Sequence, residues 1–461
     1  MRMPLRRTTS YRGAARLSRR KLIRSSAAGV AMTSIGSGTD SSATSMLNEA
    51  TPEPQHHDFT LTASEFDWDL MDDVRVRVWG YNTTMPGPEL RVREGDSVRI
   101  TLNNDLPVPT TIHWHGINVP NAMDGVAGLN QAPVPPGESF VYEFTATPAG
   151  TRWYHSHTDA HVQVAMGLYG ALIVEPRLPE TRYDRDATWL LAEWDTELTP
   201  AVAAGKEPRG PKDQLLRGGA LGADLFLING RMHGSIPPLM VAEGERVLVR
   251  LIHTGAIPHP IHTHGHSFQI VATDGNLVPE LARLTKDTVL IGPAERYDLD
   301  LVGDNPGVWM VHCHIEHHMA NGMMTTIWYE GYEPTGPAAG FFASTGMASD
   351  SVSHQHDGPT SESATSVPAT TPQASTAGAF AIAMVDDRFD PASATVPAGM
   401  TVEWVNKGVN WHSIAAFDGS FESGKIQPGE RFSHQFSQPG EYQYICKHHG
   451  LQGMLGTLTV E

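Results

Sequence analysis

The sequence holds two cysteines, and each sits among histidines and a methionine rather than near the other. Cys313 lies in the run VHCHIEHHMANGM, and Cys446 in ICKHHGLQGM. Two imidazoles, one thiolate and a distant thioether suit a blue, type 1 copper. Around Cys313 the set is completed by His259 of HPIHTHGH, giving His259, Cys313, His318 and Met323. Around Cys446 it is His412, Cys446, His449 and Met454, with Cys-x2-His-x4-Met spacing on one loop. Thiols placed this way read as metal ligands rather than a disulfide framework.

Four H-x-H pairs accompany these sets: His113 with His115, His155 with His157, His262 with His264, and His312 with His314. In extended chain, residues i and i+2 point to one side, so each pair offers two imidazoles to one metal cluster. A single pair reads equally well as a polar strand edge. Four pairs at matching points around a cysteine ligand set read as a cluster site. Cys313 then binds type 1 copper on one side while His312 and His314 bind cluster metals on the other, which makes a short covalent path for electrons.

The elements that must position these residues come from one unit written three times. PELRVREGDSVRITLN at 88–103, PPLMVAEGERVLVRLI at 237–252 and PASATVPAGMTVEWVN at 391–406 each alternate apolar and polar residues about a Gly turn. A second shared block follows each copy, ending in YHSH, VHCH and ICKHH. Three copies of short strands with Gly and Pro turns predict an all-β chain of three Greek-key β-sandwich domains, at 57–177, 185–332 and 379–461. Residues 333–378, rich in Ser, Thr, Ala, Pro and Gly, read as a flexible linker, and 1–56 as a leader.

Superposing the copies shows what each retains. The third has Ile445 and Lys447 beside its cysteine, and Ala415 and Phe417 after its first histidine, so it is expected to hold one copper only. The first has Ser156 in place of the cysteine and Thr110 in place of the first type 1 histidine. His161 and Met166 keep the spacing of His318 and Met323, but without a thiolate they read as relics or packing.

The chain has 461 residues, 40% hydrophobic and 18% charged, which is a globular composition with room for several domains. Its formal charge is −18, although the first 24 residues hold nine Lys or Arg and no acid. So acidic a body argues against a nucleic-acid partner. Ser18-Arg19-Arg20-Lys21-Leu22 followed by small apolar residues resembles a twin-arginine signal, which predicts export to the periplasm or the extracellular space. No later segment has the roughly 20 apolar residues of a membrane-spanning helix.

On these motifs, residues 57–332 resemble a two-domain laccase, a small bacterial multicopper oxidase, and 379–461 resemble a plastocyanin-type cupredoxin. The resemblance implies cupredoxin-like sandwiches throughout. It implies a type 2 copper on His113 and His262, and a type 3 pair on His115, His155, His157, His264, His312 and His314. With two type 1 sites that makes five coppers per chain. Asp124 and Glu316 occupy positions of proton-delivering carboxylates, or alternatively of hydrogen-bond partners for the histidines.

Dioxygen is then the electron acceptor, and a small molecule, a metal ion or a protein is the donor, with the third domain relaying electrons. Cluster ligands split between two domains place the cluster at an interface between such domains, and the resemblance implies a homotrimer that pairs each first domain with a neighbour's second. A copper nitrite reductase shares that plan but carries its type 1 cysteine in the first domain, where Ser156 stands here. A non-enzymatic copper carrier is the other alternative; His354 and His356 in the linker could serve it, or be plain linker residues. His233, His253, His266, His317, His434 and His448 read as structural or exposed.

Overall fold

Strict alternation builds the sheets. In Ser97–Asn104, Val98, Ile100 and Leu102 face inward while the residues between them are more exposed. The computed structural model describes residues 53–71, 74–178, 181–208, 223–335, 378–386, 388–447 and 454–461. The twin-arginine motif, most of the linker with His354 and His356, and His448 and His449 lie outside them.

The described strands form three two-sheet sandwiches of one plan, which are the cupredoxin-like Greek-key units expected from the repeats. In the first, one sheet runs Val74–Tyr81, His56–Met71, Ser97–Asn104, Ser139–Thr145, and the other Gly87–Arg93, Tyr169–Glu175, Gly150–His155, His113–His115. Each sandwich pairs its opening strand in parallel with the second strand of the repeat. The pairing places Ala63 opposite Asn104, Leu191 opposite His253 and Met384 opposite Asn406. The ligand-bearing hairpins also match in register: His113 opposes His155, His262 opposes His312, and Ala415 opposes Ile445.

Apolar cores fill the sandwiches. Trp79, Trp114, Tyr142 and Tyr154 anchor the first. Cys313 and Met323 are part of the second core, and Cys446 and Met454 part of the third. Trp411, the residue before His412, packs against the cluster centred on the first sandwich.

A buried polar seam joins the first sandwich to the second. The Thr151 hydroxyl donates to Asp298 (2.5 Å) and accepts from Arg250 (2.8 Å), while Arg250 also donates to Asp186 (2.8 Å). Arg152 donates to the carbonyls of Asp274 (2.5 Å) and Gly275 (3.2 Å). Pairing offsets much of the cost of burying these charges, and the bonds from Thr151 and Arg152 tie the first sandwich to the second.

Candidate metal centre

The second sandwich brings His259, Cys313 and His318 together. His259 Nδ1 and His318 Nδ1 are 3.1 Å apart, and Cys313 Sγ lies 3.7 Å and 3.5 Å from them. These are the separations of ligand atoms sharing one ion at about 2.0–2.3 Å. Met323 is fully buried in the same core. Phe226 stacks on His318 with centroids 3.9 Å apart. Burial holds the His318 imidazolium down at about 4 and pushes the Cys313 thiol up to about 11, so a bound cation is needed to make the thiolate at neutral pH.

Two further groups of four imidazoles gather, one in each of the first two sandwiches. In the first sandwich His113 has ring centroids 5.6, 5.3 and 5.4 Å from those of His115, His155 and His157. In the second, His262 lies 5.0, 5.7 and 5.5 Å from His264, His312 and His314. Among the described residues, ring contacts run within each quartet and none links the two.

The tautomers suit ligation. His113 Nδ1 donates to the Asp124 carbonyl, His155 Nδ1 to the Ser156 carbonyl and His312 Nδ1 to the Cys313 carbonyl, at 2.8, 2.8 and 2.9 Å. A carbonyl can only accept, so each Nε2 keeps its lone pair for a metal. Burial lowers His115 to about 4 and His155 to about 3, which keeps both neutral. Trp153 stacks on both, with centroids 5.0 Å from His115 and 4.2 Å from His155.

Asp124 also brings a carboxylate oxygen to 3.3 Å of His113 Nδ1. Glu316 is the exposed first residue of the short helix Glu316–Ala320, and His314 is exposed beside it.

The first sandwich has filled its counterpart of the type 1 site. Gln163 Oε1 accepts from Thr110 (2.7 Å) and Ser156 (2.5 Å), and Gln163 Nε2 donates to the Pro109 carbonyl (2.9 Å). His161 instead lines a mostly apolar cavity of about 200 Å³ between the first two sandwiches, with Trp153, His155, Tyr169, Glu193 and Ile257. Met166 is buried in the first core.

In the third sandwich Cys446 Sγ lies 3.9 Å from His412 Nδ1 and accepts from the Ser413 amide at 3.4 Å. Met454 is fully buried in that core. His449 lies outside the described residues.

Sequence reasoning missed Glu193. Its carboxylate accepts from His259 Nε2 at 2.9 Å and from the amides of Ala256 (2.9 Å) and Ile257 (3.1 Å). Burial raises its pKa, yet these bonds hold the carboxyl below its usual value. His253 stacks on His259 with centroids 4.9 Å apart and braces the same loop, donating to the Ile257 carbonyl (2.6 Å) and accepting from the Gly255 amide (3.1 Å).

Comparison with known proteins agrees with this arrangement. Residues 62–179 and 206–331 each match a family model described as multicopper oxidase, and residues 362–460 match one described as a cupredoxin-like domain. Copper resistance protein A of Pseudomonas syringae pv. tomato is 41% identical over 145 residues, 30% of this chain and 23% of that protein. Multicopper oxidase MmcO of Mycobacterium tuberculosis is 32% identical over 262 residues, 52% of this chain and 50% of that protein. The chain thus spans half or less of the length of these curated relatives.

Among solved structures, the blue copper oxidase of Nitrosomonas europaea is 36% identical with a TM-score of 0.55, covering 61% of this chain and 88% of that one. With two family-model matches across residues 62–331, a shared fold and His259, Cys313 and His318 gathered around one point, the chain belongs to the multicopper oxidase family and carries an additional C-terminal cupredoxin-like domain.

Proposed function

We propose that the chain is an exported, laccase-like oxidase that couples one-electron oxidation of a donor to the four-electron reduction of dioxygen to water. The observation that carries this reading is the position of Cys313. Its sulfur faces His259 and His318, while its sequence neighbours His312 and His314 turn to the quartet on the opposite side. Copper, when bound, supplies the one-electron couple and the centre at which dioxygen is reduced.

His259, Cys313, His318 and Met323 would hold the type 1 ion, and His412, Cys446, His449 and Met454 a second. His113 and His262 would hold the type 2 ion, and the remaining six quartet histidines the type 3 pair, for five in all. The backbone from Cys313 to either neighbour is the electron path. Asp124, beside His113 Nδ1, and the exposed Glu316 are placed to hold and pass the protons that water formation needs.

Each quartet would be half a cluster, the two halves contributed by different sandwiches. Exposed leucines, Leu277, Leu281, Leu284 and Leu290 on the second sandwich and Leu129 on the first, give both sandwiches apolar surface of the kind a subunit interface covers. A homotrimer in which neighbouring chains pair first and second quartets completes the cluster and hides this surface. The third domain, tethered by the linker at 333–378, would pass electrons from an outside donor to His259 or His318.

Oxygen consumption by the copper-loaded protein, with copper counting, product assay and a nitrite-turnover control, tests the reading. Water as product with five coppers supports it. Nitrite turnover, or blue centres alone in a monomer, overturns it.

A further inference from the structure

The three repeats allow an internal comparison that isolates one device. In each sandwich the strand that pairs with the opening strand ends in a side chain that braces the next loop. Asn104 donates to the Val108 carbonyl (2.9 Å) and accepts from the Leu106 amide (3.1 Å). Asn406 donates to the Asn410 carbonyl (2.8 Å) and accepts from the Gly408 amide (3.0 Å). His253 does the same for Ile257 and Gly255. The braced loop leads to Thr110, His259 and His412, which are the equivalent first type 1 positions.

Two residues beyond the partners of these braces stand Glu65, Glu193 and Asp386. Glu193 accepts from two successive loop amides, Ala256 and Ile257, and from His259 Nε2. Asp386 accepts from two successive loop amides, Val409 (3.0 Å) and Asn410 (3.1 Å), and lies 3.6 Å from His412 Nε2. Glu65, in the unit without a cysteine, turns to Arg77 (2.8 Å) and Trp79 (3.4 Å) instead.

The second residue after each brace tells the same story. A Cβ at Gly255 would meet Glu193 Oε2 at 1.9 Å, and one at Gly408 would meet Asp386 Oδ1 at 2.2 Å. The first unit, with no carboxylate there, has a buried Leu106. Carboxylate, amide cradle and glycine thus occur together, and only in the two units that keep the thiolate.

We infer that Glu193 and Asp386 are positioning residues of the two type 1 sites, each held by its loop amides behind Nε2 of the first histidine, Glu193 hydrogen-bonded to it at 2.9 Å and Asp386 in electrostatic contact at 3.6 Å. This rests on the copper reading above. Glu193, accepting from Nε2–H of His259, fixes the tautomer with the Nδ1 lone pair toward sulfur, orients the ring and raises its basicity, while Asp386 acts on His412 through its charge. It also sets a negative charge behind the ligand, which favours the oxidised, more positive copper. Each carboxylate therefore lowers the reduction potential of its own centre.

The test uses the full-length, copper-loaded protein and spectroelectrochemical titration of its blue centres, each assigned through Cys313→Ser or Cys446→Ser. Glu193→Gln is expected to raise the potential of the second-sandwich centre and leave the third unchanged, and Asp386→Asn the reverse. Each tenfold change in relative affinity for the two copper states appears as about 59 mV. Copper affinity at the altered centre should fall about 10- to 100-fold. Gly255→Ala and Gly408→Ala, which keep the charge but push the carboxylate off the histidine, should shift the same centres in the same direction.

A Glu193→Gln protein that loses only its own blue band while the third centre persists also supports the assignment. Unchanged potentials and affinities, or both centres moving together in every variant, overturn it. Absence of any blue band in the unaltered protein would instead sink the copper reading.

Discussion

Replacing Ser156 by cysteine, with Thr110→His, restores in sequence the thiolate and imidazole that the first repeat lacks. The structure predicts that no third blue centre forms. Gln163 occupies the ligand space, accepting from Ser156 and Thr110 and anchored to the Pro109 carbonyl, while His161 lines the cavity on the other side. Thr110 and Ser156 are fully buried, so the added volume has nowhere to go. Losing two donors to Gln163 Oε1 costs about 1–3 kcal/mol for the stranded acceptor. Overpacking the site costs about 1–3 kcal/mol more. The variant should therefore be destabilised by about 2–6 kcal/mol in denaturant unfolding, with the unaltered copper content and visible spectrum. An additional copper and a new intense visible band, with stability unchanged, would refute the argument that Gln163 has closed the site.

Other expectations follow from the same geometry. The metal-free protein should lose stability as pH falls: His115 and His155 stay neutral to about 4 and about 3 in the fold but protonate near 6.5 when unfolded. The unfolded chain then binds more protons below about pH 6.5, so stability is whole above that value and declines toward pH 4, by up to about 1.4 kcal/mol per pH unit per histidine; chelated protein unfolded at pH 7.5 and 4.5 checks this. Asp298→Ala, which takes the acceptor from the buried Thr151 hydroxyl while Arg250 keeps Asp186, should cost about 1–3 kcal/mol in the same assay. Cys446→Ser should slow oxidation of a protein donor several-fold and spare small donors, read as oxygen uptake with each; equal rates with all donors would count against a relay.

The gathering of His259, Cys313 and His318, and of the histidines within each quartet, was legible because thiols and paired histidines are rare residue types whose spacing survives in sequence. The three-fold repeat was legible for a similar reason, since apolar alternation and Gly turns are imposed by the strands themselves. Glu193 was not legible: it lies on a strand 66 residues before His259 and carries no local motif. A signal did exist in the repeats, because Gly255 and Gly408 follow their braces by two while Leu106 stands in the first unit, but its meaning appears only once the carboxylates are seen against the loops. His253, read as a structural histidine, proves to be the counterpart of two asparagines. Gln163 was hidden in the same way, since nothing in a glutamine announces that it plugs a vacated ligand space.

The division of the eight histidines between two sandwiches has a genetic corollary. In the homotrimer proposed above, where neighbouring chains pair first and second quartets, a lesion in one half damages only the junctions that half enters. His155→Ala and His312→Ala chains, each inert alone, should complement when co-expressed. In randomly mixed rings about one junction in four joins two sound halves, so oxygen uptake returns to roughly that share, whereas blending the separately assembled inert proteins without subunit exchange restores nothing.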